Sequence, residues 1–359
     1  MRILRRIGGV MAAVGMALGV VGFARADGAT RIIGAGSSFA YPLYSAWADL
    51  YHRHSGVEVN YQSIGSGGGI RQIEARTVNF GATDAPLTAE ELKKQELVQF
   101  PAAMGSVVPT INLAGIAPGR LVLSGPLLAK IYLGRITRWD DPAIGRLNPG
   151  LTLPARRITV VYRSDGSGTT FIFTHYLAQV SAEWKTKVGF GKTVAWPSGI
   201  GGKGNEGVAA YVEHVKGAIG YVEYALVRQS HMTWTDMVNR AGRRVGPCKQ
   251  SFAAAAESAD WAHAPGYYLM LTDQPGALSW PLVGATFALV PARPGDARSA
   301  RAVLDFFDWA YRNGDGIAGQ LDYIPMPRSV VYRIEQAWHQ SIAAAGKPLW
   351  PAPAESGAN

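Results

Sequence analysis

Tyr162-Arg163-Ser164-Asp165-Gly166-Ser167-Gly168-Thr169-Thr170 joins a β-prone run, Ile158-Thr159-Val160-Val161-Tyr162, to a helical one carrying Phe171, Phe173, Tyr176, Leu177 and Val180. The junction holds small residues, hydroxyls and one guanidinium. A strand that turns through glycines into a helix aims several backbone N–H groups at one spot, and the helix dipole adds positive potential there. Ser167 and Thr169 bring hydroxyls to that spot, and Arg163 can grip an oxyanion through two nitrogens. Two readings stand at this point. The turn is a pocket for a small tetrahedral oxyanion, or it is an ordinary strand–turn–helix junction in which Ser167 caps the helix.

The segments upstream decide between them. Arg31-Ile32-Ile33 reads as a strand that stops at Gly34-Ala35-Gly36-Ser37-Ser38. A helix follows, with Pro42 in its first turn and Leu43, Trp47, Leu50 and Tyr51 on one face. Val57-Glu58-Val59-Asn60-Tyr61 is a second strand, running into Gly65-Ser66-Gly67-Gly68-Gly69 and a helix with Ile70 and Ile73. Asn79-Phe80-Gly81-Ala82-Thr83 is a third strand, ending at Asp84. This alternation predicts a mostly parallel α/β sheet. Ser38, Ser66, Asp84 and the 163–169 turn all fall just past predicted strand ends, the edge where open α/β sheets bind ligands. Separate loops carrying the same chemistry to one edge favour the anion pocket over unrelated caps.

A second region, 106–280, is entered through Val107-Val108-Pro109-Thr110-Ile111-Asn112-Leu113 and left through Ala285-Thr286-Phe287-Ala288-Leu289-Val290. Two last helices rejoin the first region. One carries Val303, Phe306, Phe307 and Ala310, the other Val330, Val331, Ile334, Trp338 and Ile342. The Pro- and Ala-rich residues 347–359 are expected to be disordered.

Residues 1–26 read as a cleaved secretory leader: Arg2, Arg5 and Arg6, an uncharged apolar run over 7–23, and Ala24-Arg25-Ala26 before Asp27. No cysteine lies near the cleavage site, so no lipid anchor is expected. The formal charge of +9 overstates the mature chain. Without the leader's four arginines, 31 basic residues face 26 acidic ones, a net +5. Basic residues are scattered apart from Arg243-Arg244, which argues against nucleic acid, while a mild positive field helps to steer anions. Cys248 is the only cysteine, so no internal disulfide exists, and it reads as a loop bystander.

Other motifs fail on context. Gly191-Lys192-Thr193 ends like a P-loop, but Thr186 stands where the first glycine is required. Gly199, Gly201 and Gly204 fit G-x-G-x-x-G spacing, yet the turn Trp196-Pro197-Ser198 precedes them in place of a strand. His52 and His54 are two apart and the other histidines are isolated, so no metal site is expected. Ser66 and Ser167 lack the glycine spacing of a nucleophile elbow.

The motifs Gly34-Ala35-Gly36-Ser37-Ser38-Phe39, Tyr61-Gln62-Ser63-Ile64-Gly65-Ser66-Gly67-Gly68-Gly69, Asn79-Phe80-Gly81-Ala82-Thr83-Asp84-Ala85-Pro86, Ser164-Asp165-Gly166-Ser167-Gly168-Thr169 and Gly201-Gly202-Lys203-Gly204-Asn205 share one resemblance. So does Gly217-Ala218-Ile219-Gly220-Tyr221-Val222-Glu223-Tyr224. Over residues 34–350 the chain resembles the periplasmic phosphate-binding proteins of bacterial high-affinity phosphate ABC transporters. That resemblance implies a two-lobed α/β periplasmic binding protein of type II, each lobe a mostly parallel sheet flanked by helices, with the ligand in the cleft. It divides the chain into a signal peptide (1–26), lobe I (27–105 and 281–346), lobe II (106–280) and the tail. It implies a monomer that binds inorganic phosphate and passes it to an inner-membrane ABC permease, with no cofactor, metal or covalent chemistry.

Carried over by position, lobe I supplies Ser38, the Phe39 backbone N–H, Ser66 and Asp84. Lobe II supplies Arg163, Ser167, the Gly168 backbone and Thr169, while Asp165 pairs with Arg163 and restrains it. Ser38 stands where relatives often have threonine, and Gly67 where they often have a second serine. Two rivals stay open: an exported phosphatase, which needs a metal cluster or an activated nucleophile, and a binder of another oxyanion such as sulfate.

Overall fold

The computed structural model describes residues 31–353. The leader at 1–26 and residues 354–359 lie outside the described residues. The first part of the chain runs β1 (Arg31–Gly36), α1 (Tyr41–Ser55), β2 (Glu58–Ser63), α2 (Ser66–Glu74), β3 (Phe80–Thr83), α3 (Ala89–Gln95) and β4 (Leu97–Ile111). The middle contains β5 (Val122–Ser124), α4 (Gly125–Tyr132), α5 (Pro142–Leu147), β6 (Thr159–Arg163), α6 (Gly168–Val180), α7 (Ala182–Lys187), β7 (Ile200–Gly202), α8 (Gly204–His214), β8 (Ala218–Glu223) and α9 (Tyr224–Gln229). Short strands β9 (Thr233–Trp234), β10 (Asp236–Val238) and β11 (Arg244–Val245) lead to α10 (Lys249–Ala256) and β12 (Val283–Pro291). The chain closes with α11 (Ala297–Asn313), α12 (Asp315–Gln320), α13 (Arg328–Ser341), β13 (Ala343–Ala344) and β14 (Lys347–Pro348).

One nine-stranded sheet links the two halves, in the order β2-β1-β3-β12-β4-β8-β6-β7, with β9 also on β4. The outer pairs β1–β2, β1–β3, β6–β7 and β6–β8 are parallel; the central pairings of β12 and β4 are antiparallel. β4 serves both halves. Residues 97–106 pair with β12, and residues 107–111 pair with β8. The result is an α/β molecule of two lobes.

Two strands are longer than expected. β1 continues through Gly34-Ala35-Gly36 because that stretch pairs with β2 on one side and β3 on the other. A side chain at Gly34 would strike the Phe80 ring, so the glycine belongs to the sheet and does not end it. β4 begins ten residues before Val107. Pro101 hides this, since proline reads against a strand interior. It sits where the register with β12 shifts between Thr286 and Phe287, a bulge that tolerates a missing N–H.

Aromatic side chains fill each lobe. In the first, Phe307 meets Phe80 and Phe100 edge-on at 5.3 and 5.2 Å, and Phe100 meets Trp338 at 5.0 Å. This seats α11 and α13 on the first lobe, and each such side chain contributes about 1.5–3 kcal/mol by burial. In the second, Phe173 and Tyr221 stack at 4.2 Å beside buried Tyr132 and Trp184.

The expectation of disorder over 347–359 is corrected in its described part. Ala345 and Gly346 both take positive φ, the turn that closes a tight hairpin between β13 and β14. Trp350 then buries, edge-on to Trp338 at 5.0 Å and beneath the Arg301 guanidinium at 4.5 Å. Composition alone points to a loose segment, but one tryptophan with a place to bury ties residues 347–353 to α13.

Candidate anion-binding site

Four strand ends and three helix starts converge between the lobes. The ends of β1, β3, β6 and β8 present Ser37 and Ser38, Asp84, Arg163 and Glu223; the starts of α2, α6 and α8 present Ser66, Gly168 and Thr169, and Asn205. Ser37, Ser38, Ser66, Asp84, Arg163, Ser167, Thr169, Asn205 and Glu223 are all buried.

On the first lobe, the Ser37 hydroxyl donates to the Asp84 carboxylate, its oxygen lying 2.6 and 2.7 Å from the two acceptors, and accepts the Ala40 N–H at 3.1 Å. The Ser66 hydroxyl accepts the Asp84 N–H at 3.2 Å and lies 3.4 Å from Asp84 Oδ2. Phe39 turns its ring into the core, meeting Tyr323 edge-on, and its carbonyl accepts from the Tyr323 hydroxyl. On the second lobe, Arg163 Nε and Nη2 donate to the two oxygens of Asp165 at 2.8 and 2.6 Å, and Nη1 lies 3.3 Å from Thr169 Oγ1. The Arg163 N–H donates to the Tyr221 hydroxyl, which also pairs with Thr170. Ser167 caps α6 by accepting the Thr170 N–H at 3.0 Å. The capping reading and the pocket reading are therefore compatible.

The lobes touch. The Gly67 N–H donates to the Gly166 carbonyl at 2.8 Å, and the Gly168 N–H donates to Ser66 Oγ at 3.0 Å. A Cβ on Gly67 would lie 3.1 Å from Gly166 Cα, so the approach is backbone against backbone.

Burial pushes the Asp84 carboxyl up to about 6, against the hydrogen bond from Ser37 and the charge of Arg163. Burial also pushes Asp165 upward, but the hydrogen bonds and charge of Arg163 with the Gly204 N–H outweigh it and hold the group below the ordinary range. Glu223 is pushed up to about 8 by burial, although it accepts the Ala225 and Leu226 N–H groups as the cap of α9.

A family model for the PBP superfamily domain matches residues 24–313. The phosphate-binding protein PstS of Pasteurella multocida is 50% identical, over 91% of this chain and 96% of its own length. The phosphate-binding protein PstS of Xylella fastidiosa is 53% identical, over 86% of this chain and 85% of its own. The chain belongs to the PstS family of the PBP superfamily. A solved phosphate-binding protein from Stenotrophomonas maltophilia shares the fold, with a TM-score of 0.69 at 21% identity over 89% of this chain and 97% of that one.

Of the residues that the PstS resemblance singled out, Ser66 bonds both Asp84 and the Gly168 N–H, Arg163 joins Thr169 and the restraining Asp165, and Ser38 meets Thr169 through Asn205. Sequence reasoning missed four neighbours: Ser37, Asn205, Tyr221 and Glu223. Ser37, which has no role in the sequence reading, bonds Asp84. Asn205 lay in the quoted Gly201-Gly202-Lys203-Gly204-Asn205 loop without a role. It reaches Ser38 across the cleft. Cys248 stands at the N-cap of α10 and pairs with Ser251.

Proposed function

We propose that this chain captures inorganic phosphate outside the cytoplasmic membrane and delivers it to an ABC-type importer, without catalysing a reaction. Its membership of the PstS family and the makeup of the cluster support this reading. The observation that carries it is one buried carboxylate, Asp84, set among hydroxyl and N–H donors opposite the buried Arg163. An anion that brings its own proton satisfies such a mixture, because burying a dianion is costly unless nearly every oxygen is hydrogen-bonded. In this reading Ser38, the Phe39 N–H, Ser66, Asp84, Arg163, Ser167, the Gly168 N–H and Thr169 hold the ligand, and Asp165 restrains Arg163. Lobe I comprises 27–105 and 281–346 and lobe II 106–280, with the stretch at Gly266 folded back to lobe I through Gln99. Residues 1–26 direct export to the periplasm and are cleaved. The test is calorimetric titration of the mature protein, stripped of bound anion, with phosphate and with sulfate as competitor. Phosphate should saturate one site that sulfate does not displace; absence of phosphate binding would overturn the reading.

Contacts from both lobes to one small anion require the cleft to close by a hinge motion. Phosphate should therefore compact the stripped protein in small-angle scattering and raise its melting temperature by linkage. An unchanged radius of gyration together with an unchanged melting temperature would contradict closure on the ligand.

Gly168 tests the same closure from the side of packing. A Cβ there would lie 2.5 Å from Asp84 Oδ2 and 2.6 Å from Ser66 Oγ, both on the opposite lobe. Overpacking of this kind costs about 1–3 kcal/mol. Gly168→Ala should lose that much phosphate affinity while the stripped protein melts at the wild-type temperature, since the clash exists only in the closed cleft. Wild-type affinity in this variant would show that closure brings these atoms no nearer than in the open form.

A further inference from the structure

Asn205 makes hydrogen bonds with its backbone N–H and with both polar atoms of its side chain. Its backbone N–H and its Nδ2 donate to Ser38 Oγ at 3.1 and 3.0 Å, and Nδ2 also donates to Thr169 Oγ1 at 3.1 Å. Its Oδ1 accepts the Glu223 N–H at 3.1 Å. That last bond fixes the amide's orientation, because a backbone N–H needs an acceptor, and it leaves Nδ2 facing the two hydroxyls. Asn205 is fully buried at the start of α8, and Ser38 belongs to the opposite lobe.

A hydroxyl oxygen has two acceptor positions and one proton. Ser38 Oγ has both acceptor positions filled by Asn205. Thr169 Oγ1 has both filled, by Asn205 Nδ2 and by Arg163 Nη1 at 3.3 Å. Neither oxygen can accept anything more, so each can only donate. Ser66 Oγ follows the same pattern, accepting from the N–H groups of Asp84 and Gly168.

We infer that Asn205 is a positioning residue that latches the closed cleft and turns the hydroxyls of Ser38 and Thr169 into obligate hydrogen-bond donors toward the anion. The inference rests on the phosphate reading above. Its consequence is that the lobe I donors are set by closure. Ser38 receives both of its N–H bonds from lobe II, and Ser66 receives one, from Gly168. In the open cleft these hydroxyls can donate or accept; in the closed one they can only donate. Closing the cleft and choosing an acceptor-rich ligand thus become one event.

A double-mutant cycle in phosphate affinity tests this, using stripped wild type, Asn205→Ala, Ser38→Ala and the double variant. Asn205→Ala should bind phosphate about 10- to 100-fold more weakly, the scale of hydrogen bonds to a charged group. In the Ser38→Ala background the same change should cost far less, because one of the two hydroxyls it serves is gone. Additive losses would overturn the inference, since a packing role does not depend on the Ser38 hydroxyl. Asn205→Asp keeps the shape and carries the test alone if the alanine variant fails to fold. A carboxylate accepts the hydroxyl protons and removes them from the ligand, while its charge repels the anion whether or not Ser38 is present, so the loss on Asn205→Asp should shrink in the Ser38→Ala background, and equal losses in both backgrounds would overturn the inference. Wild-type protein that does not bind phosphate defeats the proposed function and this inference together. Wild-type binding with unchanged variants defeats the inference only.

Discussion

Arg163→Ala is expected to lose about 2–5 kcal/mol of phosphate affinity, the scale of a desolvated charge contact. The side chain is 1% exposed, and its Nε and Nη2 are already committed to Asp165 at 2.8 and 2.6 Å. The sequence-based expectation that two nitrogens grip the anion is thereby narrowed. Nε is spent on Asp165, so the edge left for the proposed ligand is the end-on one formed by Nη1 and Nη2. Removing the guanidinium deletes that edge and also leaves Asp165 as a half-buried carboxylate facing the anion. Part of the loss is then repulsion, and Asp165→Asn in the Arg163→Ala background should recover it. Arg163→Lys should rescue only partly, because one ammonium cannot reproduce the two-pronged bond to Asp165 and reach the ligand as well. Calorimetry decides the matter: an affinity within about threefold of wild type, less than 1 kcal/mol, would remove Arg163 from the site.

The candidate binding edge is readable because its chemistry sits in short motifs. Each loop follows a short β-prone run, so Ser66, Asp84 and the 163–169 turn can be placed just past strand ends from local sequence alone. What escaped was long-range or stereochemical. Asn205 bonds a serine 167 residues away, a pairing that no local pattern encodes. Ser37 and Ser38 are adjacent, and which hydroxyl faces Asp84 depends on how the chain leaves β1. One serves Asp84 and the other meets Asn205. The early start of β4 was masked by Pro101, whose bulge becomes visible only opposite β12. The burial of Trp350 depends on Trp338 meeting it edge-on from another element. In each case the deciding partner lies in another element.

Asp84→Asn is expected to admit sulfate while still binding phosphate. A carboxylate in an anion site repels its ligand unless the ligand carries a proton to give it. Monohydrogen and dihydrogen phosphate do, and sulfate near neutral pH does not. Sites that hydrogen-bond a ligand's hydroxyl reject analogues lacking it by roughly 10⁴ or more. Asp84 is 3% exposed and held in place by Ser37 and Ser66, so it cannot turn away from a proton-free oxyanion. An asparagine amide can present a donor instead, and sulfate competition should improve by about two orders of magnitude or more. The proton on Asp84 itself gives a second readout. Burial raises its pKa to about 6, with the Ser37 hydrogen bond and Arg163 opposing. Above that pH the group is an acceptor that excludes sulfate. As pH falls through about 6 it takes up a proton and becomes a donor that sulfate can use. Sulfate should therefore compete better against phosphate at pH 5 than at pH 8 in wild type, and the gain should be smaller in Asp84→Asn, where only the phosphate ligand changes its protonation between the two pH values. If sulfate competes as poorly with the variant as with wild type, and wild type shows no gain at pH 5, selectivity does not come from this carboxylate.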